Sequence, residues 1–349
     1  MATVSAESKR STIKDVAAEA SVAISTVSLV MNGKGYVSMD KRERVLKAAR
    51  LLKYVPRQAA RKLPMQSTGN IGFVLRVDHF ARSEPFYTRI FLGTEFEAHN
   101  HKLYVLLTTI PKKFDPTLHT PRFLDERNID GLLVAGKVDP AFVSTVARAG
   151  IPLVLIDFQL DDHPAVVIDN LQGARMAVEH LFSRGHELIS FLGADMLHPS
   201  LKARLEGFQI AVSAAGLEIS PPCIIVSDSG EPDYETGFDL SQRLFACEPM
   251  PSAVFCANDA LALGVLDQAA KRGIRVPEDL AVVGFDDVPR AEHNRPSLTT
   301  VRVYKEQMGE LAMRYLHERM ADYPANYINF ERGSHTVRVP TELVIRASS

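Results

Sequence analysis

From Asn70 onward the chain alternates strand-length apolar runs with amphipathic stretches of helical period. The runs are "IGFVL", "LYVLLT", "DGLLVA", "PLVLID", "LISFLG", "CIIVS", "AVFCAN" and "LAVVGFDD". They are rich in Val, Ile and Leu and show little polar alternation, as strands buried on both faces should be. Such runs separated by helical patterns predict parallel sheets with crossover helices on both sides. About 280 residues of this pattern are too many for one sheet of ordinary size,. Two doubly wound α/β units side by side are therefore expected. Ligands of such sheets sit beyond the carboxyl ends of the strands, here in the cleft between the two units.

Ahead of this body lies a shorter, all-helical pattern. Ile13, Val16, Ala17 and Ala20 repeat at helical spacing, with Thr12 placed to cap their start,. A turn at "ASVA" leads into "STVSLVMN", a second helix opened by Ser25 or Ile24 and closed by Asn32-Gly33,. A third helix is expected from about Met39 to Leu52, capped by Ser38, with Val45, Ala48, Ala49 and Leu52 on one face. Two helices joined by a tight turn and braced by a third make a helix-turn-helix. The base-reading surface of that motif is the N-terminal part of its second helix. It presents Ile24, Ser25, Thr26, Ser28 and Leu29, while Val27, Val30 and Met31 face inward.

Charge supports a polyanionic partner for this head. Residues 1–66 hold 13 Lys and Arg against 5 Asp and Glu, whereas the remainder holds 27 against 37. The net charge of −2 therefore divides into +8 on the head and −10 on the body,. A solvated basic face would give the same totals, so the helical pattern beside it carries the weight.

Several function classes lose support. The N-terminal "MATVSAESKR" has no apolar signal region, and no run approaches a membrane span,. A cytoplasmic chain without membrane contact is expected. Cys223, Cys247 and Cys256 lack metal-ligand spacing and read as core thiols of a reducing compartment,. "GLLVAGKV" imitates a phosphate loop, but Val138 cannot ligate magnesium and "LLVA" reads as strand,. Neither G-x-G-x-x-G nor H-E-x-x-H occurs, and "HNH" at 99–101 reads as a solvated helix end. No cofactor, metal or enzymatic activity is expected.

A connector, "YVPRQAARKLPMQSTGN", joins head to body. Pro56 suits the first position of a short helix and Pro64 stops it. A helix of this length is not stable alone and forms only when docked.

The stretch "TIKDVAAEASVAISTVSLVMNGKGYVS", followed by "DKRERV" and "LKYVPRQAARKL", resembles the DNA-binding head of the lactose-repressor (LacI/GalR) family. The resemblance continues through "IPLVLID", "VVIDNLQGARMAVEHLFSRGHELISFLG", "RLEGF", "AVFCANDALALGVL", "RVPEDLAVVGFDD" and "PSLTTVRV", from about Thr12 to Arg346. It implies a small helix-turn-helix head on a periplasmic-binding-protein-like body of two doubly wound parallel-sheet subdomains. The expected division is 10–55 for the DNA-binding domain, 56–68 for a hinge helix and linker, and 69–349 for an effector-binding and dimerisation domain. It further implies a homodimer on palindromic operator DNA, controlled by a small molecule in the cleft. A sugar or sugar derivative is the expected effector, and induction the expected response. A corepressed repressor or an activator of the same fold remains open, as does, more remotely, a carbohydrate-binding or sugar-modifying protein with a basic head.

By the same resemblance, "PRQAARKLP" is a hinge helix that orders on the operator, with Leu63 wedging into the central base step. Ala59 and Ala60 would allow two hinges to meet, and Arg57, Arg61 and Lys62 would contact phosphates. Thr12 and Asn32 complete the candidate DNA contacts. In the cleft, Arg204, Asn258, Asp286 and Asp157 are the implied effector contacts. Phe86, Tyr87, Phe158, His198 and Ser200 are candidates for stacking or specificity. Strand-end Asp and Asn are also ordinary helix caps, which is the plainer reading of Asp157, Asn258 and Asp286 alike.

Two departures from the family pattern matter. Where Leu29 stands, many relatives carry an arginine or histidine that reads a base edge. Leucine cannot donate to guanine but can pack on a thymine methyl, as can Ile24. Val303-Tyr304 replaces a more usual Gln-Pro and leaves the contacts of the segment crossing there open.

Overall fold

The computed structural model describes residues 12–31, 36–52, 54, 67–80, 86–161, 163–217, 223–227, 230–322 and 336–349. Asn32, Arg57, Ala59, Ala60, Arg61, Lys62 and Leu63 lie outside the described residues. Contacts divide the chain into two compact units at Thr68/Gly69.

In the first unit, α1 (Ile13–Glu19), α2 (Ile24–Met31) and α3 (Met39–Leu51) enclose a core of Val16, Ala17, Val27, Val30, Val45 and Ala48. Thr12 starts α1 with a reciprocal cap. Its hydroxyl accepts from the Asp15 amide at 3.4 Å, and the Asp15 carboxylate accepts from the Thr12 amide at 2.7 Å,. The turn to α2 passes through Ser21 in the left-handed region, φ 52°. Ser38 precedes α3 as expected, but its hydroxyl makes no capping hydrogen bond.

The second unit holds two six-stranded sheets. In chain order, the elements of its first half are β1 (Asn70–Arg76), α4 (Val77–Phe80), α5 (Phe86–Asn100), β2 (Tyr104–Ile110), α6 (Arg122–Asp125), β3 (Gly131–Ala135), α7 (Pro140–Arg148), β4 (Leu153–Ile156) and β5 (Ala165–Ile168). Then come α8 (Asn170–Ser183), β6 (Ile189–Ala194), α9 (Pro199–Ala214), β7 (Ile224–Ser227), α10 (Tyr234–Phe245), β8 (Ala253–Cys256), α11 (Asp259–Arg272) and β9 (Ala281–Asp286). The last are α12 (Pro289–His293), β10 (Thr299–Val303), α13 (Lys305–Asp322), β11 (Thr336–Val339) and β12 (Thr341–Val344).

The first sheet runs β11-β5-β4-β3-β1-β2, parallel throughout. The second runs β12-β10-β9-β8-β6-β7, with only β12 antiparallel. All eight runs read from the sequence are strands. The period of two sorts their side chains to opposite faces: Leu132 and Val134 of β3 join one core, Leu133 and Ala135 another,. Both faces are covered over the central strands, which is why those runs are apolar throughout, while the edge strands β2 and β7 are only partly buried,.

The lobes interleave. α8 follows β5 of the first sheet yet packs on α9 and β12 of the second lobe, and α13 follows β10 of the second yet packs on α5, β3 and β4 of the first. At the α13–α5 crossing Gly93 and Gly309 let the backbones touch. A Cβ on either would overlap a carbonyl of the facing helix, Glu306 for Gly93 and Ile90 for Gly309. Among the described residues, no helix is long and apolar enough to cross a membrane.

Candidate functional site

A cavity of about 590 Å³ opens between the lobes at the carboxyl ends of both sheets, a volume suited to a small ligand. Phe86, Tyr87, Asp157, His198, Ser200, Arg204, Asn258 and Asp286 all line it.

Arg204, in the second turn of α9, is buried at the floor. Its Nε donates to Asn170 Oδ1 at 2.8 Å and its Nη1 to the Ala257 carbonyl at 2.7 Å. Nη2 lies 3.1 Å from Asp286 Oδ1, and the guanidinium stacks 3.7 Å from the Phe285 ring centroid. The Asp286 contact is ionic without hydrogen-bonding geometry, so this buried oxygen is left without a hydrogen bond. Burial raises the Asp286 pKa, against the opposing pull of Arg204 and Lys305,.

Asp286 and Asp287 end β9 with φ of 115° and 51°, a turn that aims successive carboxylates apart,. Asp287 faces away and pairs with Arg302 and Arg346, each at 2.7 Å. Beneath them Lys305 is buried, its ammonium donating to the carbonyls of Asp286, Asp287 and Val303. Tyr304 donates to Glu342 at 2.7 Å. These are the contacts of the crossing segment that the Val303-Tyr304 departure left open.

The first lobe supplies the opposite wall. Tyr87 stacks on His79 with centroids 4.7 Å apart, and Phe86 meets Tyr87 edge-on at 5.0 Å. The Tyr87 hydroxyl donates to Asp157 Oδ2 at 2.9 Å. Burial, then the Asp157 charge, pushes the tyrosine pKa well up; burial also raises that of Asp157.

Asp157 also ties the lobes together. Ser200 of α9 donates from its hydroxyl to Asp157 Oδ1 at 2.9 Å and to the Asp157 carbonyl at 3.0 Å. At the cleft edge Lys137 donates to the Leu197 carbonyl at 2.7 Å, and Lys112 pairs with Glu231 at 3.3 Å.

Phe158 is a correction. It is 3% exposed, packs in the outer core of the first lobe and does not line the cavity. Asp157 turns the chain with φ 65°, and the next side chain enters the core instead.

Three helix starts ring the cleft, and each is capped from within. His198 Nδ1 accepts from the Ser200 amide at 3.3 Å, Asp233 from the Thr236 amide at 2.9 Å, and Asn258 from the Leu261 amide at 2.9 Å. Asn258 therefore fulfils its plainer reading as a cap while lining the cavity. Burial lowers the His198 pKa to about 4, so the ring is neutral with Nδ1 as acceptor and Nε2 as its donor. The sequence reading missed Asp195, Arg290 and the wall from Glu231 to Glu235. Asp195 and that wall follow strands β6 and β7, so the rule that ligands sit beyond the carboxyl ends of strands would have found them,.

In the first unit, α2 exposes Ile24 (46%), Leu29 (40%) and Ser25, while Thr26 and Ser28 are half-buried. Val27 and Val30 are buried and Met31 packs against them.

Residues 12–57 match the family model described as "Bacterial regulatory proteins, lacI family", and residues 178–349 that of a "Periplasmic binding protein-like domain". The HTH-type transcriptional repressor PurR of Mannheimia succiniciproducens is 32% identical over 341 residues, covering 97% of this chain and 98% of the relative. The Lac repressor dimer bound to operator and the anti-inducer ONPF superposes with a TM-score of 0.81 at 26% identity, covering 97% of this chain and 99% of that one. A transcriptional regulator CelR–cellobiose complex does so at 0.70 and 29% identity, covering 97% and 100%. A helix-turn-helix unit with a cleft-bearing two-lobed body defines a DNA-binding transcriptional regulator with an effector domain. The chain belongs to the LacI family.

Proposed function

We propose that this regulator is a homodimeric repressor acting in the cytoplasm on a palindromic operator, with affinity set by a sugar-like molecule in the cleft. The observation that carries the effector reading is Arg204. A guanidinium held by Asn170, Ala257 and Phe285 beside the Asp286 carboxylate presents donor and acceptor side by side, as vicinal hydroxyls require,. The aromatic wall of Phe86 and Tyr87 offers a face for a sugar ring. The neighbour carrying cellobiose supports the carbohydrate class.

Residues 10–55 serve as the reading head, 56–68 as hinge and linker, and 69–349 as effector and dimerisation domain. Thr12, Ile24, Ser25, Thr26, Ser28, Leu29 and Asn32 meet the DNA; Arg57, Ala60, Arg61 and Leu63 form the hinge contacts. The cleft regulates rather than catalyses. Effector binding shifts the lobes between two arrangements, and that shift biases the hinge.

Selection from a random duplex library with the full-length protein tests this reading. An enriched inverted repeat is expected, and neutral sugars should then release it. Enrichment of a lone half-site would overturn the symmetric dimer. Tighter binding with sugar would reverse the sign to corepression.

A further inference from the structure

We propose that α5 and α13 form a single rigid strut that carries displacements of the cleft to Gly69, the first residue of the second unit. This role rests on the reading above, in which the cleft controls the operator.

Two parallel helices can ordinarily slide or tilt on the side chains between them. Here almost nothing lies between. Cross-helix partners differ in number by 215 to 217 at Arg89–Glu306, Thr94–Gly309 and Glu97–Arg314, so the helices run parallel and keep one register along α5. Arg89 pairs with Glu306 at 2.6 Å, and Arg314 with Glu97 at 3.1 Å. Between those ion pairs the backbones touch at Gly93 and Gly309. The buried Thr94 hydroxyl is shared by the carbonyls of Ile90 and, across the interface, Gly309, at 3.1 and 3.4 Å. Beyond them the rings of His101 and His317 stack with centroids 3.8 Å apart. A slide in either direction brings a Cβ onto a facing carbonyl, so the pair moves as one body.

The cleft end of the strut touches both walls. The first turn of α5 carries Phe86 and Tyr87 into the cavity lining. Lys305, the first residue of α13, donates to the carbonyls of Asp286 and Asp287 in the second lobe. Its ammonium also lies 5.8 Å from the Phe86 ring centroid. A shift of the Asp286 turn therefore pulls on α13 directly.

The other end, about 22 Å away along the 15 residues of α5,, meets the start of the unit. The chain turns through Lys102, φ 59°, into β2, and the Tyr104 amide donates to the Gly69 carbonyl at 2.9 Å. The last turns of α13 lie on Gly131, where a Cβ would come within 2.8 Å of Met320 Sδ and 3.1 Å of Leu316. Beside it, Asp130 accepts from the Gly69 amide at 2.8 Å. Gly69 is thus held at its carbonyl by the strand that continues α5, and at its amide by the residue next to the end of α13.

Lys305→Met in the full-length protein tests the strut, with amide hydrogen exchange read residue by residue. Protection of the Tyr104 amide and of α5 should fall together, by about tenfold, while α10 and α11 keep wild-type protection. That second pair is packed as closely, Gly237 against Leu261 and Gly264 against Tyr234, but belongs to the other lobe. An unchanged Tyr104 amide, or an equal fall in α10 and α11, overturns the strut. If Lys305→Met does not fold, Arg89→Met cuts the same end at its exposed ion pair and should give the same pattern at about twofold,. Operator binding is the functional arm. On the inverted repeat enriched by the wild-type protein, the ligand-free affinity of Lys305→Met should differ by about fivefold or more. Coupled exchange with unchanged affinity overturns the strut's part in control. Failure to enrich any duplex would instead count against the regulator reading, and the exchange result would still decide the strut.

Discussion

Leu29 and Ile24 place exposed apolar side chains on the face of α2 that would meet bases. An apolar side chain there favours a thymine methyl and gives nothing to guanine. Leu29→Arg should move the preference at the facing base pair from thymine toward guanine, by about 1–3 kcal/mol of discrimination. Repeating the duplex selection with the variant measures this, and an unchanged motif would rule the contact out. His198 makes a second prediction at this scale. Its folded-state pKa of about 4 lies below the ordinary 6.5, so between those values the unfolded chain binds more protons. Stability should therefore fall as pH drops from about 6.5 to 4, by roughly 3 kcal/mol from this group. His198→Asn keeps a capping acceptor and cannot titrate, so denaturation curves should show a weaker acid dependence for the variant. Equal slopes would mean that the ring takes up its proton in the fold.

Among the elements, α1 depends on the reciprocal Thr12–Asp15 cap. Thr12→Ala should cost about 1 kcal/mol locally, read as roughly fivefold faster amide exchange in α1, with Thr12→Ser nearly neutral. The α13–α5 crossing is less forgiving. Gly309→Ala forces a methyl against the Ile90 carbonyl, and a loss of about 3 kcal/mol or more is expected in denaturant titration. Wild-type stability would show that the helices can separate freely. These elements also mark what could be read in advance. The eight strands were legible as apolar runs: in the central ones nearly every residue meets apolar neighbours, and the edge strands β2 and β7 keep the apolar composition though they are only partly covered. β10, "TTVRV", was not, because Thr299 and Thr300 are wholly buried polar residues. Their partners, Ser348 and Asp259, are distant in sequence. β11, "TVRV", and β12, "TELV", each carry a charged residue, Arg338 or Glu342, and show no apolar run, whereas β5, "AVVI", is such a run and was passed over. In the cleft, Asp157 and Asp286 were named through the family resemblance, and both stand at strand ends, where topology alone already put the ligand,. Phe158 was misplaced because a side chain's direction after a left-handed residue depends on φ, which composition does not carry.

For the molecule as a whole, the division of charge sets the ionic response. The head's +8, doubled in a dimer, should make operator affinity fall at least a hundredfold between about 50 and 200 mM salt. Fluorescence anisotropy with a labelled operator would measure the slope, and a flat dependence would remove phosphate contacts from the reading. The interleaved lobes have a different consequence, in time. The first sheet is closed at its edge by β11, residues 336–339, which pair with β5 at 165–168. A ribosome releases most of the first lobe early but holds back α13 and β11 until every strand of the second lobe except β12 has been made. Translation thus cannot deliver the lobes one after the other as finished parts. A stop codon falling between α13 and β11 would strip the last strand from both sheets at once and leave two open edges, where a bead-on-a-string protein would lose only its final bead,.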